Sequence, residues 1–280
     1  MKEGDSPVRQ ILVAMDASTS SINALQAAVD LAERFDADLI GLFVEDINLL
    51  RLAQLPFARE VSFFSPLPRP LKSLEIEMQL RAQAERMRRL LAQSAEQRGV
   101  AWMFRIARGS VAAEILSAGA QADLLIMGKI GRSLPGLQRM GSTVRMMLLQ
   151  RKGMTMVLQS RVQFTLPVAT VYDGSPVARK ALEIAAFLVR SKKGRLLVFV
   201  LAETERRAHE FQQAVMERLE GLGLEADMRM LVRPSPEDLA RRIVQATAGP
   251  VVLPCSADWL EGEQLCALVD TIVNPVLLVR

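Results

Sequence analysis

Two cysteines, one histidine, one tyrosine and two tryptophans are all that this 280-residue chain has of the residue types that build redox, metal and stacking sites. Cys255 and Cys266 make neither a disulfide framework nor a zinc cluster, and His209 alone supplies no metal site. That usage fits a reducing compartment, and the expectation is a cytoplasmic protein. Aromatics are only 5% of the residues, so the core must come from Leu, Val, Ile, Ala and Met, as in parallel sheets covered on both faces. No apolar run approaches the ~18 residues of a spanning helix, and Met1 to Gln10 carries no apolar leader core. No membrane partner is expected. The formal charge of +4 falls wholly in residues 1–160, with 161–280 neutral. An excess that small attracts anions weakly and lacks the basic stripe of a duplex binder, so no nucleic-acid partner is expected either.

What is present is a globular composition, 50% hydrophobic and 24% charged, long enough for two domains. The two are copies of one unit. Ile11 to Met15 is an aliphatic run ending in Asp16, Ala17 and Ser18, followed by a helical pattern through Ile22, Leu25, Val29 and Ala32. Val168 to Tyr172 repeats it, ending in Asp173, Gly174 and Ser175, with Val177, Ala181, Leu182 and Leu188 after it. Domains over 1–160 and 161–280 follow. In each, short aliphatic strands alternate with helices. The spacing predicts an α/β fold of two tandem open parallel five-stranded sheets with helices on both faces, built by right-handed crossovers.

One insertion breaks the symmetry. Asp46 to Lys72 holds Pro56, Pro66, Pro68 and Pro70 with Phe57, Phe63 and Phe64, where the second copy crosses in a few residues. A connection that long reads as a lid or a partner-binding loop, or equally as a packed surface excursion.

The chemistry-bearing segment follows the strand Leu124 to Met127. Gly128, Gly131 and Gly141, with Ser142 and Thr143 opening a helix, are what a phosphate cradle requires: close backbone approach, hydroxyl donors and free N–H groups. It lies at the carboxyl end of a middle strand, where open parallel sheets bind ligands. An ordinary glycine-containing connection is the plainer alternative. Neither GxxxxGK[ST] nor GxGxxG is present. Asp16 by itself is ambiguous between a ligand contact, a helix cap and a phosphoacceptor, and the last would need further carboxylates that Ala14, Met15, Ala17 and Ser18 do not supply.

The spacing G-x2-G-x9-G-S from Gly128, together with Asp16 and a hydrophobic closing strand, resembles the adenine-nucleotide-binding signature of universal stress proteins. Since the unit occurs twice, the chain resembles a tandem member of that family. The resemblance implies an adenine nucleotide alpha hydrolase-like fold with strand order 3-2-1-4-5, paired through the fifth strand, so that the two copies form an intramolecular pseudo-dimer that imitates the family's homodimer; whether two chains form a further homodimer is left open. It implies ATP, AMP or ADP as ligand, with or without Mg2+. Asp16 would lie against the nucleoside and the Val44 backbone against adenine. Gly128 and Gly131 would line the ribose and phosphate path, and Gly141, Ser142 and Thr143 would hold the phosphates. Ala14, Met15, Met127, Lys129 and Val144 complete the expected site.

Two departures matter. Lys129 and Ile130 stand where the family has a small or hydroxyl residue and then a cation, so Lys129 or Arg132 is expected to supply the missing charge. In the second copy Cys255 replaces the first glycine, the loop is six residues shorter, and Asp258, Glu261 and Glu263 bring negative charge toward the phosphate position. One competent site per chain, in the first copy, is the expectation. Residues 128–144 include no Asp, Glu or His, so binding with at most slow hydrolysis is expected rather than enzymatic turnover. The role anticipated is a stress-response regulator; a nucleotide-independent scaffold acting through the paired core and the 46–72 loop is the alternative. Met146, Met147, Met154 and Met156 are expected to pack the interface between copies.

Overall fold

The computed structural model describes residues 6–62, 65–130, 140–159, 166–190, 194–247, 249–255, 260 and 262–280. The first half runs β1 (Gln10–Met15), α1 (Thr19–Phe35), β2 (Asp38–Asp46), α2 (Ile47–Ala53), β3 (Arg59–Ser62), β4 (Ser65–Pro70), α3 (Ser73–Glu96), β5 (Trp102–Gly109), α4 (Val111–Gly119), β6 (Leu124–Gly128), α5 (Ser142–Gln150) and β7 (Met154–Leu158). The second runs β8 (Val168–Tyr172), α6 (Pro176–Arg190), β9 (Leu196–Ala202), α7 (Glu205–Glu220), β10 (Ala226–Val232), α8 (Pro236–Ala246), β11 (Val251–Pro254), α9 (Gly262–Thr271) and β12 (Val276–Val279).

The central strands are mostly aliphatic because both faces are covered, and β7, β8, β11 and β12 are buried throughout. Each half has its strands in the order 3-2-1-4-5, as β5-β2-β1-β6-β7 and β10-β9-β8-β11-β12. The two sheets are not separate, however. β7 and β12 pair antiparallel, with Val157 opposite Val276 and Met156 opposite Leu277, giving one ten-stranded sheet. Joining these buried strands satisfies backbone groups that two open edges would leave exposed.

The core consists of two apolar layers, one on each face, and both continue across the join. One packs α1, α3, α6 and α7 on the sheet. The other packs α4, α5, α8 and α9. Phe35 of α1 stacks on Phe187 of α6 with ring centroids 4.9 Å apart, tying the halves together on the first face. Met147, Met154 and Met156 are buried near the join as expected, but Met146 is 38% exposed. One residue along a helix turns the side chain by about 100°, which carries Met146 out of the layer that Met147 enters.

The 46–72 insertion is not a structureless loop. The Asp46 carboxylate accepts from the Asn48 amide and starts α2, which buries Leu50 and Ala53. A two-stranded antiparallel hairpin follows, β3 with β4. Prolines alternate at 66, 68 and 70, so their missing N–H groups all fall on the unpaired edge of β4.

Candidate functional site

At the carboxyl ends of β1 and β6 the chain leaves the sheet toward opposite faces, and the crevice between them is the place where doubly wound sheets accept ligands. A cleft of about 310 Å³ lies there. Its wall is built by four pieces of chain: Ala14 to Asp16 with Ser18, Ser20 and Ser21; Leu42 and Val44 of β2; Val111 and Ile115 of α4; and Met127, Gly128 and Ile130 facing Gly141 to Val144.

The β1 piece is held by a tight turn. Ala17 sits at φ 63°, in the left-handed region, while the Asp16 carboxylate accepts from the Ser18 amide at 3.0 Å. Ser18 then caps α1 by accepting from the Ser21 amide at 3.1 Å. The Ser21 hydroxyl in turn accepts from the Asp16 amide at 3.1 Å, so the backbone around Asp16 is fixed from both sides. Ser20 crosses the cleft floor, donating to the Ile130 carbonyl and lying 3.2 Å from the Ser18 hydroxyl.

Gly128 is needed here for a reason other than ligand approach. A Cβ on it would lie 2.5 Å from the Ser20 hydroxyl and 2.8 Å from the Ser20 carbonyl carbon. The first turn of α1 rests on the end of β6, and only hydrogen fits between them.

The α5 piece offers donors. Gly141 has extended N-cap geometry, and no side chain caps the helix. The amides of Ser142, Thr143 and Val144 are therefore first-turn N–H groups without intrahelical acceptors, opening on the cleft at the positive end of the helix dipole. The Gly141 amide is already committed, donating to the Lys129 carbonyl at 3.0 Å.

Of the twelve residues expected at the site, Ala14, Met15, Asp16, Val44, Met127, Gly128, Gly141, Ser142, Thr143 and Val144 line this one cleft. Gly131 lies outside the described residues, as does Arg132. Lys129 is displaced from its expected role. Its side chain is 2% exposed and turns away from the cleft, donating to the Asp270 carbonyl at 2.6 Å and to the Ile272 carbonyl and the Gln159 side chain, each at 3.4 Å. Burial lowers the Lys129 ammonium pKa, with the Asp270 carboxylate pulling it back up. Among the described lining residues Asp16 is the one charged side chain, so an anion would meet amides and hydroxyls rather than a cation.

Leu42, Val111, Ile115, Ser18, Ser20, Ser21 and Ile130 also line the cleft without having been anticipated. Leu42 and Val44 share one face of β2, and Val111 and Ile115 one face of α4, so periodicity from Val44 would have found the first pair. In the second half, residues 256–259 and 261 fall outside the described set, including Asp258 and Glu261. Glu263 lies in the first turn of α9, the helix that matches α5, and its carboxylate is paired with Arg145 of α5. Among the described residues no group of three or more His, Cys, Asp and Glu side chains is placed to hold a metal ion, and no helix is long and apolar enough to cross a membrane.

The universal stress protein family model matches residues 7–157. Among solved structures, a universal stress protein from Archaeoglobus fulgidus DSM 4304 is similar over 96% of this chain and 95% of its own, at 18% identity and a TM-score of 0.71. A putative universal stress protein from Pseudomonas aeruginosa UCBPP-PA14 is similar over 97% and 92%, at 14% identity and a TM-score of 0.64. A functionally unknown protein from Pseudomonas aeruginosa PAO1 is similar over 97% and 92%, at 14% identity and a TM-score of 0.61. At these identities the likeness is one of fold. No curated protein matches the chain.

Proposed function

Because the chain belongs to the universal stress protein family, we propose that it binds an adenine nucleotide, ATP, ADP or AMP, in the cleft of its first half and acts as a nucleotide-responsive stress regulator rather than as an enzyme. One observation carries the reading. An aliphatic slot of Leu42, Val44, Val111 and Ile115, the Asp16 carboxylate and the opening turn of α5 all face a single cleft. A flat apolar base, a ribose and an anionic tail need those three surfaces in that order.

Adenine enters the aliphatic slot with its edge toward the Val44 backbone. Asp16, held by its turn, accepts from ribose hydroxyls. The phosphates take the amides of Ser142, Thr143 and Val144 and the hydroxyls of Ser142 and Thr143, where the helix dipole favours negative charge. The described lining offers a metal one carboxylate only, so Mg2+ would arrive held by the phosphates. With no general base in 128–144 to activate water, hydrolysis is slow at most.

The nucleotide signal has a direct route outward. Val44 lines the cleft, and two residues later Asp46 starts α2, after which Leu52, Leu55 and Phe57 are 49%, 41% and 75% exposed. These residues give the 46–72 excursion an apolar surface for a protein partner. The same exposure favours a second reading, a scaffold indifferent to nucleotide.

Ser142→Pro tests the first reading. Proline suits the first helical position, and Gly141 already has the extended geometry a residue before proline prefers, so the fold is kept while one amide and one hydroxyl are lost. Calorimetry should show saturable ATP binding to the wild-type chain and at least about tenfold weaker binding to the variant, about 1.4 kcal/mol. Equal affinity in both, or none in the wild type, removes the nucleotide from the account and leaves the scaffold.

A further inference from the structure

Both described stems of the glycine loop bond to Asp270 in the other half of the molecule. Lys129 leaves the end of β6 and sends its buried ammonium to the carboxyl end of α9, where it meets the Asp270 carbonyl at 2.6 Å, the Ile272 carbonyl at 3.4 Å and the Asp270 carboxylate at 3.6 Å. On the returning stem the Met140 amide donates to that same carboxylate at 3.1 Å. The stems also hold each other, Gly141 donating to the Lys129 carbonyl at 3.0 Å. Cation, carbonyls and helix dipole are complementary there, and the buried ammonium has few other acceptors.

From this clamp we infer that Asp270, in the half that lacks a glycine loop, is a positioning residue for the nucleotide site of the first half. By holding Met140 and Lys129 together it sets where Gly141 ends and where the amides of Ser142 to Val144 point. The second half thereby becomes part of the site's machinery although it touches no nucleotide. The inference rests on the nucleotide-binding reading. It adds that affinity is set across the β7–β12 join, so anything that shifts α9 regulates the cleft without entering it.

The test uses the full chain as wild type, Asp270→Ala, Asp270→Asn and Glu263→Gln. Glu263 lies on the same helix and pairs with Arg145, which makes it a control for general loosening between α9 and α5. Two quantities are measured: hydrogen exchange of the Met140 amide without nucleotide, and ATP affinity by calorimetry. Asp270→Ala should speed Met140 exchange at least tenfold and weaken ATP about tenfold. Asp270→Asn, which keeps the acceptor for Met140, should bring exchange back to within about threefold of wild type. Glu263→Gln should leave both unchanged. Wild-type exchange and affinity in Asp270→Ala, or equal loosening in Glu263→Gln, overturns the inference. If the wild type binds no ATP, the nucleotide reading falls, and Met140 exchange alone decides whether Asp270 holds the loop. Asp270→Ser, too short to reach either partner, gives the same two readings should Asp270→Ala fail to fold.

Discussion

In the first half the cleft lies between β1, β6 and α5, and in the second a cleft lies between the Asp173 turn, the end of β9 and α7. The second cleft, about 600 Å³, is lined by Asp173, Ser175, Glu203, Arg207, Phe211 and Arg233 among others. The corresponding region of the first half is where the insertion sits, with α2 packed on α3. The second half crosses directly from β9 to α7 with no such insertion. Both clefts include the aspartate turn and the end of the second strand, Asp16, Ser18 and Val44 in one and Asp173, Ser175 and Leu201 in the other, but the first is completed by α4 and α5 and the second by α7. Shared topology therefore leaves the extent of a cleft undecided; the connections between elements decide it.

The halves also solve one buried problem with different chemistry, and this gives the largest expected effects. The carbonyls at the turn between α4 and β6 are capped by Arg151, which donates to Gly119 at 3.0 Å, Ala122 at 2.7 Å and the Met154 carbonyl. At the matching turn between α8 and β11, Asn274 donates to Thr247 and Gly249, each at 2.9 Å. Arg151 is 3% exposed, and burial, reinforced by Arg280, lowers its pKa to about 10, leaving it charged at neutral pH. Arg151→Ala should cost about 4 kcal/mol by orphaning several carbonyls and opening a cavity, and Asn274→Ala about 2 kcal/mol. Denaturant unfolding checks both. Equal losses would mean that the two caps are interchangeable despite their charge difference.

A second pair separates fold from ligand at the first glycine. Gly128→Val places carbon against Ser20 and should cost about 3 kcal/mol even without nucleotide. The register corrects the expected match in the second half: Gly128 pairs with Leu158 as Pro254 pairs with Val279, so Pro254 and not Cys255 takes the place of the glycine; Cys255, partly buried, matches Lys129, and Cys255→Ala should cost less than about 1 kcal/mol. Were Gly128→Val as stable as wild type and deficient only in ATP binding, the glycine would belong to the ligand instead of to the α1–β6 contact.

That distinction marks how far the sequence could be read. The repeat was legible because an aliphatic strand, an Asp turn and a serine cap recur together, and the residue types of Gly128, Gly141, Ser142 and Thr143 marked a cradle, while the rest of the ten expected residues that line the cleft came from family resemblance. The strand order came from family resemblance; nothing in Met154–Leu158 or Val276–Val279 marks an antiparallel edge, since Thr155 is the one polar residue in either. The direction of Lys129 was illegible for a related reason. Its main acceptor is 141 positions away, beyond any local pattern. α2 went unseen because seven residues between an aspartate and a proline cluster carry too little periodicity to distinguish a helix from a loop.

The smallest effect is the most direct test of the comparison, because it concerns the one turn that both halves build alike. Ala17 follows Asp16 at φ 63°, and Gly174 follows Asp173 at φ 80°. In both, the aspartate accepts from the serine amide two residues on, at 3.0 and 2.9 Å. An alanine in the left-handed region carries a strain of about 1 kcal/mol, which a glycine does not. Ala17→Gly should therefore raise stability, by up to about 1 kcal/mol once the greater freedom of glycine in the unfolded chain is subtracted. The reverse change is not its mirror image. A Cβ at position 174 would meet the Phe211 ring at 2.5 Å, so Gly174→Ala adds a clash to the strain and should cost about 2 kcal/mol. If Ala17→Gly lowers stability and ATP affinity together, the strained alanine is what holds Asp16 in place, and the turn of the first half has diverged toward ligand binding while that of the second has relaxed into structure.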